Sequence, residues 1–506
     1  MASAHIVVHY HELWLKRGNR DFFLHKLREA LYRALEGVTV TRISHPSDRL
    51  IIDLADSAQT DLALERLSRV TGISYLGVAR VIDRRTNLDS ISDSEPRANR
   101  ASTANQEFGT DSAGDTASAA QPSHNSDAIP PLRNFESDQF ARNSKSELLA
   151  KNSDDTQASR NSGDARPSQF SAAAGDPLAP ICAAAWEEIR GERFMTFAVR
   201  AKRSDKTFPL NALQVEREIG GRLFDQLHAE GRGVRVDLVN PELTCHIEIS
   251  RGPTLIYARR IPGAGGMPAN TAGKLVCMLS GGFDSAVAAF KMMKRGAHLI
   301  FVHFWGGGAR PGESSVHVAR KLLERLAPWQ FTAKLYLIPF EPLQREIAAQ
   351  SAEEFRTLLY RRLMLRIAER IALREKARGV VCGDSLGQVA SQTLLNMQAV
   401  GAIARLPLYR PLVGDDKLEI QEIARRIGTH DISAEPFHDC CPVFQSKSPA
   451  LFASPQELDA AESTYDVAAL VERGLQSLAV ERFRYSNGKV ERTNSKAKTS
   501  KAKLTV

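Results

Sequence analysis

Hydrophobic and polar positions alternate with two different periods along this chain, and where they do so they predict three folded blocks and one long unpatterned stretch. In the first block, strands are predicted at Ile6 to Tyr10, Val38 to Ile43, Leu50 to Leu54 and Ile73 to Ile82. A helix from Asn19 to Glu36 carries Phe23, Leu27, Leu31 and Leu35 on one face and stops at Gly37; a second, Asp61 to Val70, ends before Gly72. The order βαββαβ is that of a ferredoxin-like module. Glu12, Lys16, Arg17 and Arg20, between the first strand and helix, are read either as a polar cluster or as a solvated loop. From about Arg84 to Pro180 both periods vanish, while Ser, Asp, Asn, Ala, Gln and Arg dominate. That composition predicts a disordered insertion without catalytic residues.

Order returns with a helix from Leu178 to Arg190, a strand from Phe194 to Val199, a helix from Asn211 to Leu227, and strands at Val234 to Val239, Cys245 to Ser250 and Leu255 to Arg260. Arg200, Lys202, Arg203 and Lys206 suit phosphate contacts with an RNA backbone, the plainer reading being a soluble strand edge. Pro262 to Pro268, rich in glycine, reads as a linker.

In the third block, strand-like runs at Leu275 to Leu279, Leu299 to Phe304, Leu335 to Phe340 and Val380 to Cys382 alternate with helices at Ala286 to Lys294, Ser314 to Leu326 and Pro342 to Lys376. This is the pattern of a doubly wound α/β domain, whose ligands lie beyond the C-terminal strand ends. The first strand delivers the chain into Ser280-Gly281-Gly282, and Asp284 and Ser285 open the next helix. Glycines that admit a ligand to the backbone, followed by a helix N-terminus, suit a phosphate. A Walker loop is excluded, because Gly273-Lys274 has Pro268 five residues before the glycine and Leu275 after the lysine. By the same topology His303, Phe304, Gly383, Asp384 and Ser385 are expected to face one crevice with this loop, and Lys417 could neutralise a leaving pyrophosphate.

Composition changes this picture little. The 506 residues carry a formal charge of +8, compatible with a nucleic-acid partner. No apolar run has transmembrane length and no secretory segment is expected, which predicts a cytoplasmic protein without a membrane partner. Six cysteines without a C-x-x-C argue against a disulfide scaffold or a common zinc site, and no metal site is expected. Two of them, Cys440 and Cys441, are adjacent, and a bridge between them would be strained, so a reactive thiol there would find its partner elsewhere, with Cys382 and Cys277 as candidates.

The motifs G-A-G-G-M-P, L-S-G-G-F-D-S, M-K-R-G, V-H-F, S-L-G-Q-V-A-S-Q-T, R-P-L and D-C-C together resemble the tRNA 4-thiouridine synthase (tRNA sulfurtransferase) family, in its rhodanese-free form. The resemblance implies a multidomain α/β and α+β protein: a ferredoxin-like domain over 1–83, the insertion over 84–177, a THUMP RNA-binding domain over 178–262, a linker over 263–271, a pyrophosphatase-loop domain over 272–450 and a basic, partly disordered tail over 451–506. It implies ATP contacts at Met278, Leu279, Ser280, Gly281, Gly282, Asp284, Ser285, His303, Phe304, Arg361, Gly383 and Gln392. Asp284 and Lys417 match positions used in adenylation, and Cys441 matches the cysteine that handles sulfur, with Cys440 and Cys382 as possible partner thiols.

The implied reaction adenylates O4 of uridine-8 in tRNA and replaces that oxygen with persulfide sulfur. ATP with Mg2+, tRNA, a cysteine desulfurase and a homodimer go with it. An iron–sulfur cluster on Cys382, Cys440 and Cys441 is not expected, and a thiamine role is doubtful because the 56 residues after Ala450 contain no cysteine. The sequence departs from the family also at His11, where glycine commonly precedes the glutamate. Two other readings remain: a different pyrophosphatase-loop enzyme acting on tRNA, and a tRNA-binding protein without catalysis.

Overall fold

The computed structural model describes residues 4–10, 12–82, 176–306, 315–435, 444 and 446–495. Among them the strands form two sheets. The first contains β1 (Ala4–Tyr10), β2 (Val40–Ser44), β3 (Arg49–Leu54), β4 (Ile73–Ile82), β5 (Thr196–Arg203), β6 (Arg235–Val236), β7 (Leu243–Ile249), β8 (Thr254–Tyr257) and β9 (Ile261–Pro262). Their order is β2-β3-β1-β4-β8-β7-β5-β6, with β9 also on β4. The predicted helices appear as Arg20–Ala34 and Thr60–Ser68, which bury Leu27, Leu31, Ala63 and Leu67 against Ile6, Val8, Leu50 and Ile52.

Two blocks that read as separate modules are joined through β4. Its first part pairs with β1 in the ferredoxin-like module, while Arg80, Val81 and Ile82 pair with Ile256, Leu255 and Thr254 of β8. Buried charge reinforces the junction. Glu248 on β7 faces the Arg49 guanidinium, accepts from the Tyr257 hydroxyl at 2.6 Å, and lies 3.1 Å from His9 Nε2. Arg49 and Glu248 are 1% and 3% exposed; Arg49 also pairs with Asp48 at 2.7 Å, whereas buried Glu248 relies on Arg49 for its countercharge.

The second sheet contains β10 (Lys274–Met278), β11 (His298–Trp305), β12 (Thr332–Pro339), β13 (Val380–Val381), β14 (Leu408–Tyr409), β15 (Ala479–Ser486) and β16 (Lys489–Ser495). Their order is β14-β13-β10-β11-β12-β15-β16, parallel through β12 and antiparallel beyond it. Along β10, Val276 enters the core on one face, and Leu275 and Cys277 that on the other. Both faces are covered, which is why this strand reads as a continuous apolar run.

Three expectations change. Residues 451–495, taken for part of a basic tail, form helices Pro455–Glu462 and Val467–Gln476 and then β15 and β16, which extend the sheet. Val480, Phe483 and Tyr485 are buried, and the hairpin turns at Asn487-Gly488, both with positive φ, the strongest short hairpin signal a sequence carries. The helix expected over Pro342 to Lys376 is instead two, Glu341–Gln350 and Arg356–Glu375, because Ser351 is extended (φ −123°, ψ 153°) and a short 3-10 turn follows. The presumed linker is a fitted strap: Met267 and Ala269 are buried in the ferredoxin-like core, and a Cβ on Gly266 would fall 2.0 Å from the Lys294 carbonyl oxygen. Substitution there collides with backbone, so the strap fixes one domain against the other.

Candidate nucleotide site

β10 ends at Met278, and Leu279 and Ser280 lead into the helix Phe283–Lys294. Ser285, one turn into that helix, ties the loop together: its Oγ accepts from Ser280 N at 3.0 Å and donates to Gly282 O, also at 3.0 Å. Gly282, the N-cap, has φ −76° and no side-chain cap. A Cβ there would meet nothing closer than Ser280 Oγ, 3.5 Å away, so neither the turn nor a protein neighbour requires glycine. What the missing side chain leaves is open backbone at a helix N-terminus, the arrangement that receives phosphate.

The loop borders a cavity of about 490 Å3 lined by Met278, Leu279, Ser280, Asp284, Ser285, Phe304, Arg361, Cys382, Gly383 and Gln392, among others. Nine of the twelve expected ATP contacts thus share one wall. Gly281, Gly282 and His303 do not line it. His303 is buried behind the loop, donating from Nδ1 to Leu279 O at 2.8 Å and accepting at Nε2 from Ser315 Oγ at 2.9 Å, so it positions the strand end. Gly383 is required sterically, because a Cβ on it would lie 2.8 Å from Ser285 N. Tyr360, Met364, Leu365, Val400 and Leu408 form an apolar side that sequence spacing did not reveal.

Burial pushes the Asp284 carboxyl above its ordinary range, against the opposing pull of the Gln388 amide and the Lys417 charge. Gln388 Nε2 donates to Asp284 Oδ2 at 3.1 Å, while Asp284 Oδ1, Gln388 Oε1 and Gln392 Oε1 are buried without a hydrogen-bond partner among the described residues. Lys417, exposed at the start of the helix Lys417–Ile427, is thereby within electrostatic reach of Asp284. Gln388 lies in the S-L-G-Q motif, which could have flagged it.

Asp384 is the second buried carboxylate. Burial disfavours its charge, but Arg361, the Cys382 thiol and Arg410 outweigh this and hold it below the usual carboxylate range. Arg361 pairs with Asp384 and donates to Ser391 Oγ at 2.9 Å, so the guanidinium is fixed in the cavity wall. Cys382, the suggested partner thiol, is 4% exposed, and burial beside Asp384 pushes it up to about 12. A thiol so raised is a poor nucleophile. Cys277 is fully buried and equally unsuited.

Cys440, Cys441 and His11 lie outside the described residues, as do the side chains of Lys16 and Arg17. Glu12 is drawn to the nucleotide domain, pairing with Arg295 of M-K-R-G at 2.8 Å, whereas Arg20 donates to the Tyr10 hydroxyl at 2.9 Å. The basic segment belongs mostly to β5. Arg200 donates to Leu238 O, Lys202 pairs with Asp48 at 2.6 Å and Arg203 donates to Phe208 O at 2.9 Å; Lys206 is exposed.

Residues 5–76 match the model of the ThiI ferredoxin-like domain, 181–259 that of the THUMP domain, and 270–467 that of the thiamine biosynthesis protein (ThiI) family. A probable tRNA sulfurtransferase of Macrococcus caseolyticus is 30% identical over 481 residues, 94% of this chain and 95% of that protein. The chain belongs to the tRNA sulfurtransferase family. A probable tRNA sulfurtransferase of Thermus thermophilus is 43% identical over 272 residues, 54% of this chain and 66% of that protein. The sulfurtransferase fold is also that of a solved 4-thiouridine synthetase–RNA complex with bound ATP, at TM-score 0.67 and 24% identity over 95% of this chain and all of that one. PH1313 from Pyrococcus horikoshii shares it at TM-score 0.50 and 19% identity, over 84% and 99% of the two chains.

Proposed function

We infer that this chain uses ATP to adenylate uridine-8 of tRNA at O4 and then replaces that oxygen with sulfur, giving 4-thiouridine. The observation that carries the reading is the cavity at the Ser280–Ser285 loop, which joins an open helix N-terminus, a fixed arginine and an apolar side in one space. A volume of about 490 Å3 falls within the range of small-ligand sites. The apolar side suits a purine, and Ser280, Arg361 and the loop backbone suit the phosphates.

Chemically, uridine O4 attacks the α-phosphorus, the bond to the bridging oxygen breaks, and pyrophosphate leaves with charge that Lys417 neutralises. Adenylation turns a poor leaving oxygen into AMP. A persulfide on Cys441 then attacks C4 through its outer sulfur and AMP departs, leaving the base joined to Cys441 by a disulfide; a second thiol attacks the Cys441 sulfur, forms a disulfide with it and releases 4-thiouridine, and an external thiol reductant restores the pair. Ser446 and Pro449 line the cavity, and Asn396 accepts from Ala453 N and donates to Ala450 O, both at 2.8 Å, which anchors the chain just beyond the cysteine loop. Four residues lie between Cys441 and Ser446, so five steps of chain, at most about 18 Å, separate the two positions.

The oxygens of Asp284, Gln388 and Gln392 that have no partner among the described residues are hard donors that suit Mg2+, which when bound would offset phosphate charge. The family resemblance supports a cysteine desulfurase as sulfur source, a homodimer, RNA contact through the THUMP region and work in the cytoplasm. Among the described residues no helix is long and apolar enough to cross a membrane. The test is to supply purified protein with ATP, unmodified tRNA, desulfurase and cysteine, and to follow pyrophosphate and 4-thiouridine together. Cys441→Ser is expected to stop thiolation while adenylation, read as pyrophosphate release, continues; equal loss of both would overturn the assignment of Cys441.

A further inference from the structure

A second cavity, about 510 Å3, lies at the opposite end of the helix that begins at the nucleotide loop. Twelve residues of helix separate the two, about 17 Å of rise. Its lining includes Arg69 from the ferredoxin-like module, Lys294, Arg325 and Arg426 from the ends of three helices of the nucleotide domain, and Glu324. Four cations therefore meet one carboxylate.

A basic residue in the last turn of a helix is what the macrodipole selects, and this accounts for one cation at each of the three helix ends. Arg69, from another module, is likewise the C-cap of the helix Thr60–Ser68, so the macrodipole accounts for each cation singly but not for the convergence of all four on one space. Arg325 donates from Nε to Ile427 O at 2.9 Å, and Arg69 pairs with Glu65 at 2.7 Å. The side chains of Lys294 and Arg426 have no hydrogen bond or ion pair among the described residues. Burial holds the Arg325 guanidinium below its ordinary value, and the Arg69 charge adds to the effect, as expected of like charges brought together. The strap fixes one wall, since a Cβ on Gly263 would lie 2.4 Å from Ile73 O.

We propose that this cavity binds a phosphate anion through Arg69, Lys294, Arg325 and Arg426, at a site separate from the nucleotide loop. Two sources share that chemistry: a free phosphate compound such as pyrophosphate, and a backbone phosphate of a bound RNA. Binding of either would draw the ferredoxin-like module and the nucleotide domain together across the strap.

The test uses the full chain with the first cavity saturated by an ATP analogue carrying a methylene bridge between the α and β phosphorus atoms. Inorganic pyrophosphate is titrated by calorimetry, and tRNA binding is measured against salt, for the wild type and for the Lys294→Ala/Arg426→Ala double variant. Analogue binding is retained in the variant, which shows that it is folded. Pyrophosphate bound one per chain in the wild type and at least about tenfold more weakly in the variant establishes a free anion as ligand. A tRNA salt slope smaller by about 0.9 for each lost phosphate contact, with no pyrophosphate binding, establishes RNA as its source. If the double variant matches the wild type in both titrations, the proposal is wrong. Loss of analogue binding by the wild type itself would count against the nucleotide site instead.

Discussion

Glu248 and Asp284 are both carboxylates largely removed from water, yet their surroundings differ in kind. Glu248, at the joint between the ferredoxin-like module and the THUMP region, is enclosed by Arg49, Tyr257 and His9. Asp284, in the nucleotide cavity, has one amide donor, a distant lysine charge and an oxygen with no partner among the described residues. The first charge is spent on holding two modules in one sheet. The second stands open toward a space that a ligand can fill. Buried charge that is closed on itself thus marks the scaffold, and buried charge left open marks the site.

Breaking the closed network is expected to have the largest effect. Arg49→Met leaves Glu248 buried without its cation and should lower stability by about 3 to 5 kcal/mol. Denaturant unfolding checks this, and the surviving folded protein should bind ATP normally. Asp284→Ala should do the reverse, lowering AMP formation by roughly 10²- to 10³-fold with no loss of stability, since it removes a carboxyl that burial already disfavours. Pyrophosphate release and a thermal melt on the same sample separate the two outcomes. Gln388→Leu removes the one amide that donates to Asp284 and should slow AMP formation by about tenfold, equivalent to one hydrogen bond to a charged group.

A smaller effect is expected from pH. Burial depresses His246 to about 4 and His9 to about 3, both aided by neighbouring cations, so each is neutral in the folded protein. Their contribution is complete above the unfolded value near pH 6.5 and is lost as pH falls toward 4. For His246 alone, up to about 2 kcal/mol should disappear between pH 7 and pH 5. His246→Asn should flatten that slope in denaturant midpoints, whereas an unchanged slope would place the acid sensitivity elsewhere.

How much of this could be read from residues alone follows the same division. The nucleotide loop was legible because S-G-G-F-D-S follows an apolar run and opens a helix, three signals in one short window. Nine of the expected contacts meet at the cavity because strand ends in a parallel sheet converge there. The union of two modules through β4 was not legible, because pairing between Arg80–Ile82 and Thr254–Ile256 joins segments over 170 residues apart. Nor did periodicity reveal Asn396, whose hydrogen bonds to Ala450 O and from Ala453 N fasten the segment after the cysteines beside the cavity. The Asn487-Gly488 hairpin was readable and was obscured by the basic residues around it.

The most direct test of the adenylating cavity is a count of products from ATP labelled at the α-phosphorus, with the purified chain and unmodified tRNA but no sulfur source. Labelled AMP attached to RNA, with one pyrophosphate released for each, is the result expected, and it should vanish in Asp284→Ala. ADP and phosphate as the products, or AMP formed equally well by that variant, would contradict it.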